Sequence, residues 1–379
     1  MPSGSSARRL LVGLLATAVV VALSVGVGFA ADGGHLPTRR AMDAAVAAGA
    51  PGVLAEADDA DGEWNASSGV ADRRSQQPRR AGDRFRIGSI TKTFVATVLL
   101  QLEAEGRIDV DDSVEKWLPG VVRGNGNDGR RITVRQLLDH TSGLYDYTAD
   151  PGFRAAHFGR AFLTHRYDTH TPAELVRIAT AHPPLFAPGQ GWSYSNTDYV
   201  LAGMVIQAVT GHGYAHEIER RILRPLGLHA TSLPGTRPYL RGRHGRAYSR
   251  LFGAPRGAGV HDVTEFDPSL AGASGELVST TGDLIAVLRG LLDGELLPRR
   301  QLVEMTATVA SDEPGARYGL GLREQRLSCG TTVWGHDGGI YGSQSTVFTT
   351  RDGRHAAAFN INGDWAGDTG ELLEAEFCG

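Results

Sequence analysis

The placement of strand-like segments restricts the fold of this 379-residue chain more than any other feature. Apolar stretches with strand character occur near the amino end and crowd together again near the carboxyl end, whereas helical and loop patterns fill the middle. The predicted strands are 53–56, 63–70, 318–323, 331–336, 344–350 and 356–361. This distribution predicts one sheet assembled from two distant halves of the chain, with a helical region inserted between them.

The predicted helices are amphipathic or wholly apolar segments. A long helix at 89–105 has Phe94, Val98 and Leu102 at helical spacing and ends before Gly106, so it is predicted to be a core element. The other predicted helices are 38–48, 134–138, 172–181, 197–209, 214–223, 281–292, 298–308 and 369–377, and the region 234–267 is loop-like. We therefore expect an α/β domain from 35–110 and 275–379, and an inserted, mostly helical domain from 111–274.

The first thirty residues have the composition of a secretory leader. Arg8 and Arg9 precede an apolar run over 10–29, and small residues follow around Ala30. This pattern predicts a signal peptide over 1–30, cleaved near Ala30. The alternative is an uncleaved anchor, because the run approaches the roughly 20 residues that span a bilayer. Either interpretation places the rest of the chain outside the cytoplasm, as a secreted or extracellular protein.

Composition excludes some classes of function. The net charge is -4, which provides no basic surface for nucleic acid. The 13 histidines form no zinc-binding motif, so no metal and no cofactor is expected. We expect a monomer that acts on a small substrate.

Two cysteines, Cys329 and Cys378, lie in the last fifth of the chain. Outside the cytoplasm, oxidation to one disulfide is favoured, and two free buried thiols are the alternative.

Lysine is rare in this chain. Of 38 Lys plus Arg residues only Lys92 and Lys116 are lysines, and Lys92 stands three positions after Ser89 at the start of the long predicted helix. The positive end of that helix favours an alkoxide or an oxyanion. A desolvated lysine on the same helix face can accept the serine proton. The alternative is an ordinary helix cap at Ser89 with a solvated Lys92.

Two further groups suggest the same chemistry. Tyr194 and Asn196 form a Tyr-x-Asn, in which a phenol can move protons and an amide can orient a substrate carbonyl. His336 ends a predicted strand and is followed by Asp337, Gly338 and Gly339, where glycines allow a ligand close to the backbone. Alternatively, Asn196 caps a helix and His336 is structural.

Taken in order, Ser-x-x-Lys, Tyr-x-Asn and His-x-Gly resemble the three signature elements of the β-lactamase and penicillin-binding-protein superfamily. More closely, the chain resembles secreted D-alanyl-D-alanine carboxypeptidases of the actinomycete type, from about residue 51 to 378. The resemblance implies the β-lactamase/transpeptidase-like α/β fold, an antiparallel sheet flanked by helices from both chain ends. It also implies a disulfide beside the active-site strand. Peptidoglycan peptides or small acyl compounds are the implied substrates, and β-lactams are possible acylating inhibitors.

The resemblance assigns a role to each matching residue. Ser89 becomes the nucleophile and Lys92 its proton partner, Tyr194 the proton shuttle to the leaving amine, and His336 the electrostatic support beside Tyr194. Among substrate-binding groups, the resemblance implies Asn196 as a donor, Arg323 for a terminal carboxylate, and a third motif at Asp337, Gly338 and Gly339. The backbone N–H groups of Ser89 and Gly339 would form the oxyanion hole.

One departure from the carboxypeptidase pattern concerns the substrate. That pattern has small hydroxyl residues where this chain has Asp337 and Gly339. A carboxylate at 337 would repel a substrate carboxylate. The leading hypothesis is a D-alanyl-D-alanine carboxypeptidase. The alternative is an esterase or D-amino-acid amidase on the same scaffold, and a third hypothesis is a wall-binding or β-lactam-sensing protein without turnover.

Overall fold

An antiparallel sheet is the centre of the computed structural model, which describes residues 33–252 and 259–379. Its strands among these residues, in chain order β1 to β8, are Gly52–Asp59, Gly62–Gly69, Val309–Ala310, Ala316–Tyr318, Arg323–Arg326, Thr332–Ile340, Ser343–Thr350 and Ala356–Ile361. Across the sheet they run in the order β2, β1, β8, β7, β6, β5, β4, β3. The amino-terminal hairpin joins the carboxyl-terminal strands through β1 and β8, with Val53 opposite Ile361. The predicted assembly of one sheet from two distant halves is confirmed.

Helices cover both faces of the sheet. In chain order α1 to α12, they are Leu36–Ala47, Thr91–Ala104, Val114–Trp117, Val134–Leu138, Pro151–His157, Phe162–His165, Pro172–Thr180, Asn196–Thr210, Tyr214–Ile218, Thr281–Leu292, Arg299–Met305 and Thr369–Cys378. Val53 of β1 belongs to a buried apolar cluster with residues of α1 and α12, whereas the next residue, Leu54, belongs to a larger cluster with α2, α8 and α10. This alternation follows from the two-residue period of a strand. The predicted α/β class, with an antiparallel sheet flanked by helices, is confirmed.

Two strand predictions need correction. The predicted strand at 318–323 is a turn between β4 and β5, in which Tyr318 pairs with Arg323. Gly321 lies in this turn at φ +71°, a conformation that favours glycine and interrupts the strand. The strand predicted to end at His336 continues to Ile340, because Gly338 and Gly339 still pair with β7.

Differences in the middle of the chain are smaller. The region 234–267, predicted as loop, contains a short pair of strands at Tyr248–Ser249 and His261–Asp262. Helices α3, α5 and α6 were not predicted, although α5, with seven residues, is longer than the predicted α4. The helix predicted over 214–223 is α9 followed by a π-helical turn at Glu219–Leu223.

The carboxyl terminus is covalently attached to the sheet. Cys378, at the end of α12, forms a disulfide with Cys329 in the turn between β5 and β6. The predicted disulfide is therefore confirmed.

The predicted signal peptide at 1–30 lies outside the described residues. Within 33–252 and 259–379, no helix is long and apolar enough to cross a bilayer. The described residues group into one compact unit. A division of that unit into a sheet domain and a helical domain stays a prediction.

Candidate active site

Ser89 lies between a short strand and a largely buried helix, α2. Phe85–Arg86 pairs with Val278–Ser279, and a single 3-10 turn, Gly88–Ile90, then leads into α2. Gly88 takes φ +52°, which turns the chain from strand to helix within three residues. Ser89 therefore stands just before the amino terminus of a 14-residue helix, where the helix dipole stabilises negative charge on its oxygen.

Lys92 is fully buried in the first turn of α2. Its Nζ lies 3.0 Å from Ser89 Oγ, 2.9 Å from Asn196 Oδ1 and 2.9 Å from the carbonyl oxygen of Ser274. Burial lowers the pKa of Lys92 to about 7. A neutral amine keeps two N–H donors, which match the two carbonyl acceptors, so its lone pair is left for the Ser89 hydroxyl. The position of Lys92 and its lowered pKa thus allow it to accept the serine proton.

Tyr194 lies on the other side of the same amine. The centre of its ring is 4.7 Å from Lys92 Nζ. Burial raises the pKa of Tyr194 well above 10, although a hydrogen bond with Ser89 opposes this effect. The phenol therefore holds its proton at neutral pH and can donate it.

Strand β6 closes the site from the sheet side. A Cβ on Gly338 would lie 2.8 Å from Ser89 N and 2.0 Å from Ile87 O, so only glycine allows the two backbones to approach this closely. Gly339 is exposed, and a Cβ there would meet no atom within 4 Å. A Cβ on Gly88 would lie 2.9 Å from Gly339 N, so the backbone segments that carry the N–H groups of Ser89 and Gly339 lie close together. This arrangement fits the oxyanion hole predicted from the sequence.

The environment of His336 differs from the expectation. It was predicted to support Tyr194 as a cationisable group, but its Nε2 lies 2.8 Å from the hydroxyl of Tyr318. Burial lowers the pKa of His336 to about 4, so the ring is neutral at pH 7. We infer that His336 fixes the Tyr318 side chain under the site and adds no positive charge there.

We expect Tyr318→Phe to lower the free energy of unfolding by about 1 to 3 kcal/mol. The change would leave Nε2 of His336 without its partner at a position where both side chains are only 2% exposed. Urea unfolding of the wild type and the variant measures the difference. Tyr167→Phe is the matched control, because Tyr167 is 48% exposed. Equal stabilities of the two variants would contradict this role of the Tyr318 hydroxyl.

Asn196 has a partner at both ends of its amide. Its Oδ1 accepts from Lys92, and one N–H of its Nδ2 donates to Asp146 Oδ2 over 3.0 Å. The second N–H of Nδ2 can still donate to a substrate while Asp146 holds the side chain in place. Burial raises the pKa of Asp146, although its hydrogen bonds to Thr148 oppose the effect. Sequence reasoning missed Asp146, which lies 50 positions from its partner.

A buried polar group beneath the site was also missed. His140, at φ +63°, lies with its ring centre 4.4 Å from that of Tyr194, and its Nδ1 is 3.0 Å from Asp198 Oδ2. Ser142 donates to the other oxygen of Asp198 over 2.6 Å. Burial holds the pKa of His140 well below 6.5. Asp198 follows Asn196 by two residues in α8, and this spacing was the one local signal for the group.

Arg323, predicted to bind a substrate carboxylate, is paired with acidic side chains. Its guanidinium contacts both Asp337 and Glu313. Although burial opposes the effect, Arg323 lowers the pKa of Asp337, which favours its ionised form. The formal charges of one arginine and two acidic residues sum to -1. Arg323 and Asp337 also line a cavity of about 650 Å³ between the sheet and the first turn of α12.

Comparisons with known proteins agree with this geometry. A family profile described as Beta-lactamase matches residues 38–374. The structure of a D-stereospecific amidohydrolase from Streptomyces sp. is 56% identical in sequence, with a TM-score of 0.86 over 91% of this chain and 98% of the other. The D-amino acid amidase from Ochrobactrum anthropi SV3, complexed with L-phenylalanine, is 30% identical, with a TM-score of 0.77 over 89% of this chain and 96% of the other.

One curated relative is named for the activity that the sequence analysis gave as its leading hypothesis. A putative D-alanyl-D-alanine carboxypeptidase of Escherichia coli (strain K12) is 30% identical over 69% of this chain and 63% of its own length. Against two further curated relatives, the chain spans only 37% and 42% of their length.

Proposed function

Because this chain belongs to the beta-lactamase family of serine hydrolases, we propose that it hydrolyses amides or esters of D-amino acids whose leaving group carries no carboxylate. The observation that carries this proposal is the pairing of Arg323 with Asp337 and Glu313. A site with a net charge of -1 repels an anionic leaving group and accepts a neutral or cationic one. The preference for D-amino acids is supported by the two relatives named for it.

The proposed reaction proceeds through an acyl-enzyme. Lys92 takes the proton of Ser89 as Oγ attacks the substrate carbonyl, and the N–H groups of Ser89 and Gly339 bind the oxygen that becomes negative. Tyr194 gives its proton to the leaving nitrogen as the C–N bond breaks, and it is reprotonated by Lys92. Water then attacks the ester bond of the acyl-enzyme. The proton transfers run in the reverse order, so that the acid is released and Ser89 regains its proton.

A matched pair of peptides tests the choice of leaving group. Both have a blocked amino end and end in D-Ala-D-Ala, one as the free acid and one as the carboxamide. We expect kcat/KM for the carboxamide to exceed that for the acid by at least about 10-fold, since one like charge near the pair is worth at least about 1.4 kcal/mol. Ser89→Ala supplies the blank. Faster cleavage of the acid would reject the proposal.

D-phenylalanine amide and L-phenylalanine amide test the stereochemical part. Release of ammonia from the D form at a rate well above the L form is the expected result. Equal rates would remove the D-amino acid from the proposal and leave a general amidase or esterase.

We expect the double variant Asp337→Thr, Glu313→Gln to shift the preference toward the free acid by about 10-fold or more in the ratio of kcat/KM values. Both replacements remove acidic partners of Arg323, whose charge then becomes available to a substrate carboxylate. The same peptide pair measures the ratio. The control is Glu324→Gln, which changes a neighbouring acid of β5 that contacts Thr308 instead of Arg323. An unchanged ratio in the double variant would show that this pairing does not set specificity.

A D-alanyl-D-alanine carboxypeptidase is the second candidate. It is favoured by the position of Arg323, which pairs with Gly335 next to the active-site strand residue His336. The curated Escherichia coli relative named as a putative enzyme of this kind supports it. This candidate requires the substrate carboxylate to displace Asp337 or Glu313 from Arg323, so it predicts the opposite order of rates for the peptide pair.

The place of action is proposed from the sequence. The leader-like composition of residues 1–30 supports export, with cell-wall peptides or small amides as substrates outside the cytoplasm. Amino-terminal sequencing of the protein from the medium of its producing cells tests this, and an intact leader on cytoplasmic protein would exclude it.

A further inference from the structure

Two arginines near the nucleophile are buried almost completely. Arg79 and Arg86 are each 3% exposed. Arg79 donates from Nη1 to the carbonyl oxygen of Asn360 and from Nη2 to its Oδ1. Arg86 donates from Nη2 to the carbonyl oxygens of Pro238 and Phe266, and its guanidinium lies 4.1 Å from the ring centre of Phe266. Both groups thus have polar contacts, but these contacts are with neutral acceptors.

Three N–H groups of these side chains have no acceptor within the described residues. They are Nε of Arg79 and both Nε and Nη1 of Arg86. Burial lowers the pKa of Arg79 to about 9 and that of Arg86 to about 10, so both remain cations at neutral pH. A buried cation without a counter-charge is strongly unfavourable.

The nearest carboxylates do not supply that counter-charge by contact. Asp83 lies near Arg79, but its oxygens accept from Arg243 and from the backbone of Arg80. Glu276 and Asp267 lie near Arg86.

These two acids are also bonded to other groups. Asp267 accepts from Thr169 and Ser269. Glu276 accepts from Tyr214 and Gly235, and burial raises its pKa to about 7, so it carries only part of a charge.

Both arginines line one small cavity. Its volume is about 20 Å³, and further lining side chains include Arg84, Arg246, Asn360 and Asn362. A cavity of this size holds one water molecule or one ion of similar size, and it is too small for a carboxylate or phosphate with its substituents. Its lining contains four arginines and no carboxylate.

We propose that this cavity binds a single monatomic anion, of which chloride is the abundant example, between Arg79 and Arg86. The anion accepts from the unpartnered guanidinium N–H groups and neutralises part of the buried charge. Water fills the same space but supplies no counter-charge, which is the physical reason to favour the anion.

The site is connected to the nucleophile by the chain and by hydrogen bonds. Arg86 precedes Ser89 by three residues. Its carbonyl oxygen accepts from Ser343 Oγ over 2.7 Å, and Ser343 Oγ accepts from Asn360 Nδ2 over 2.9 Å. Asn360 is also the acceptor for Arg79. The anion therefore stabilises the strand that leads into Ser89, so it is a structural ligand of the site and not a reactant.

Bromide is the crystallographic probe, because it resembles chloride and scatters anomalously. Crystals of the full chain grown with bromide in place of chloride are expected to show an anomalous peak in this cavity. A cavity that contains only a water-like peak without anomalous signal would overturn the proposal.

Thermal unfolding tests whether the site is occupied in solution. At constant ionic strength held with gluconate, replacing it by chloride from 1 to 300 mM is expected to raise the Tm by about 3 °C. Arg86→Met is expected to reduce this rise to below about 1 °C. The control Arg354→Met should retain the full rise, since Arg354 is 86% exposed, pairs with Asp352 and does not line the cavity.

The wild-type measurement stands even if Arg86→Met does not fold. A bromide peak without any dependence of Tm on chloride would mean an adventitious ion only, and it would overturn the proposal. A Tm that rises equally in Arg86→Met and Arg354→Met would also overturn it, because the effect would then arise elsewhere on the surface.

Discussion

Ser89→Ala is expected to lower kcat by at least about 10⁴-fold on any substrate of this protein, because no acyl-enzyme can form without the Oγ nucleophile. The fold is expected to persist, since Ser89 Oγ contributes no cap to α2 and its loss creates little space. An activated D-phenylalanine ester, followed by absorbance, provides the kinetic measurement. Circular dichroism of both proteins confirms that the variant is folded.

Intact mass adds a chemical readout for the same serine. After prolonged incubation with excess fluorescent penicillin, whose carboxylate is expected to slow acylation at this site but not to prevent it, an adduct of one molecule is expected on the wild type and not on Ser89→Ala. Ser193→Ala is the matched control, because the described contacts of Ser193 involve its backbone N–H and not its hydroxyl. If Ser89→Ala retained more than about a tenth of the activity, the nucleophile would lie elsewhere.

Lys92→Met is expected to lower kcat by about 10³-fold or more. Methionine has a shape similar to that of the neutral lysine side chain, so mainly the amine is lost. The variant removes the amine that lies 3.0 Å from Ser89 Oγ. The chain provides its own control, since Lys116 is its one other lysine. Lys116 is exposed and paired with Asp112, and Lys116→Met should leave kcat within about 2-fold. Similar losses in the two variants would contradict a proton-transfer role for Lys92.

The pH dependence of activity and of stability is an independent test of Lys92 as the base. Burial lowers the pKa of Lys92 to about 7, so the active neutral amine increases as pH rises through 7, and kcat/KM of the wild type should rise with it. Stability changes in the same direction. Between pH 7 and 10 the unfolded lysine binds a proton that the folded one has released, so the free energy of unfolding, relative to Lys92→Met, should increase with pH. A flat profile of kcat/KM across pH 6 to 8 would exclude Lys92 as the base.

Sequence patterns located the catalytic pair because its geometry is local. Ser89 and Lys92 are three residues apart at the start of one helix, and helical spacing alone places them on one face. The apolar period of α2 likewise predicted a buried helix, and the burial of Lys92 follows from it. The two cysteines could pair only with each other, so their disulfide required the compartment and no knowledge of the fold.

Contacts between distant segments could not be read in this way. His336 was expected to give electrostatic support beside Tyr194. Its hydrogen bond with Tyr318 was not predicted, because the turn between β4 and β5 and the sheet register bring these two residues together. His140 and Asp198 are 58 positions apart and meet only because their two segments pack under the site.

The choice of substrate shows most clearly what the sequence determines and what only the tertiary structure determines. By itself the sequence determined the reaction class, since a serine, a lysine and a tyrosine in their motifs limit the chemistry to serine acyl transfer, and it raised the question posed by Asp337. Only the tertiary structure decided that Arg323, Asp337 and Glu313 contact one another, because strand register and a turn set their separation. Charge acts through space and not along the chain, so the net charge of this cluster could be assigned only after the fold had brought these three side chains together.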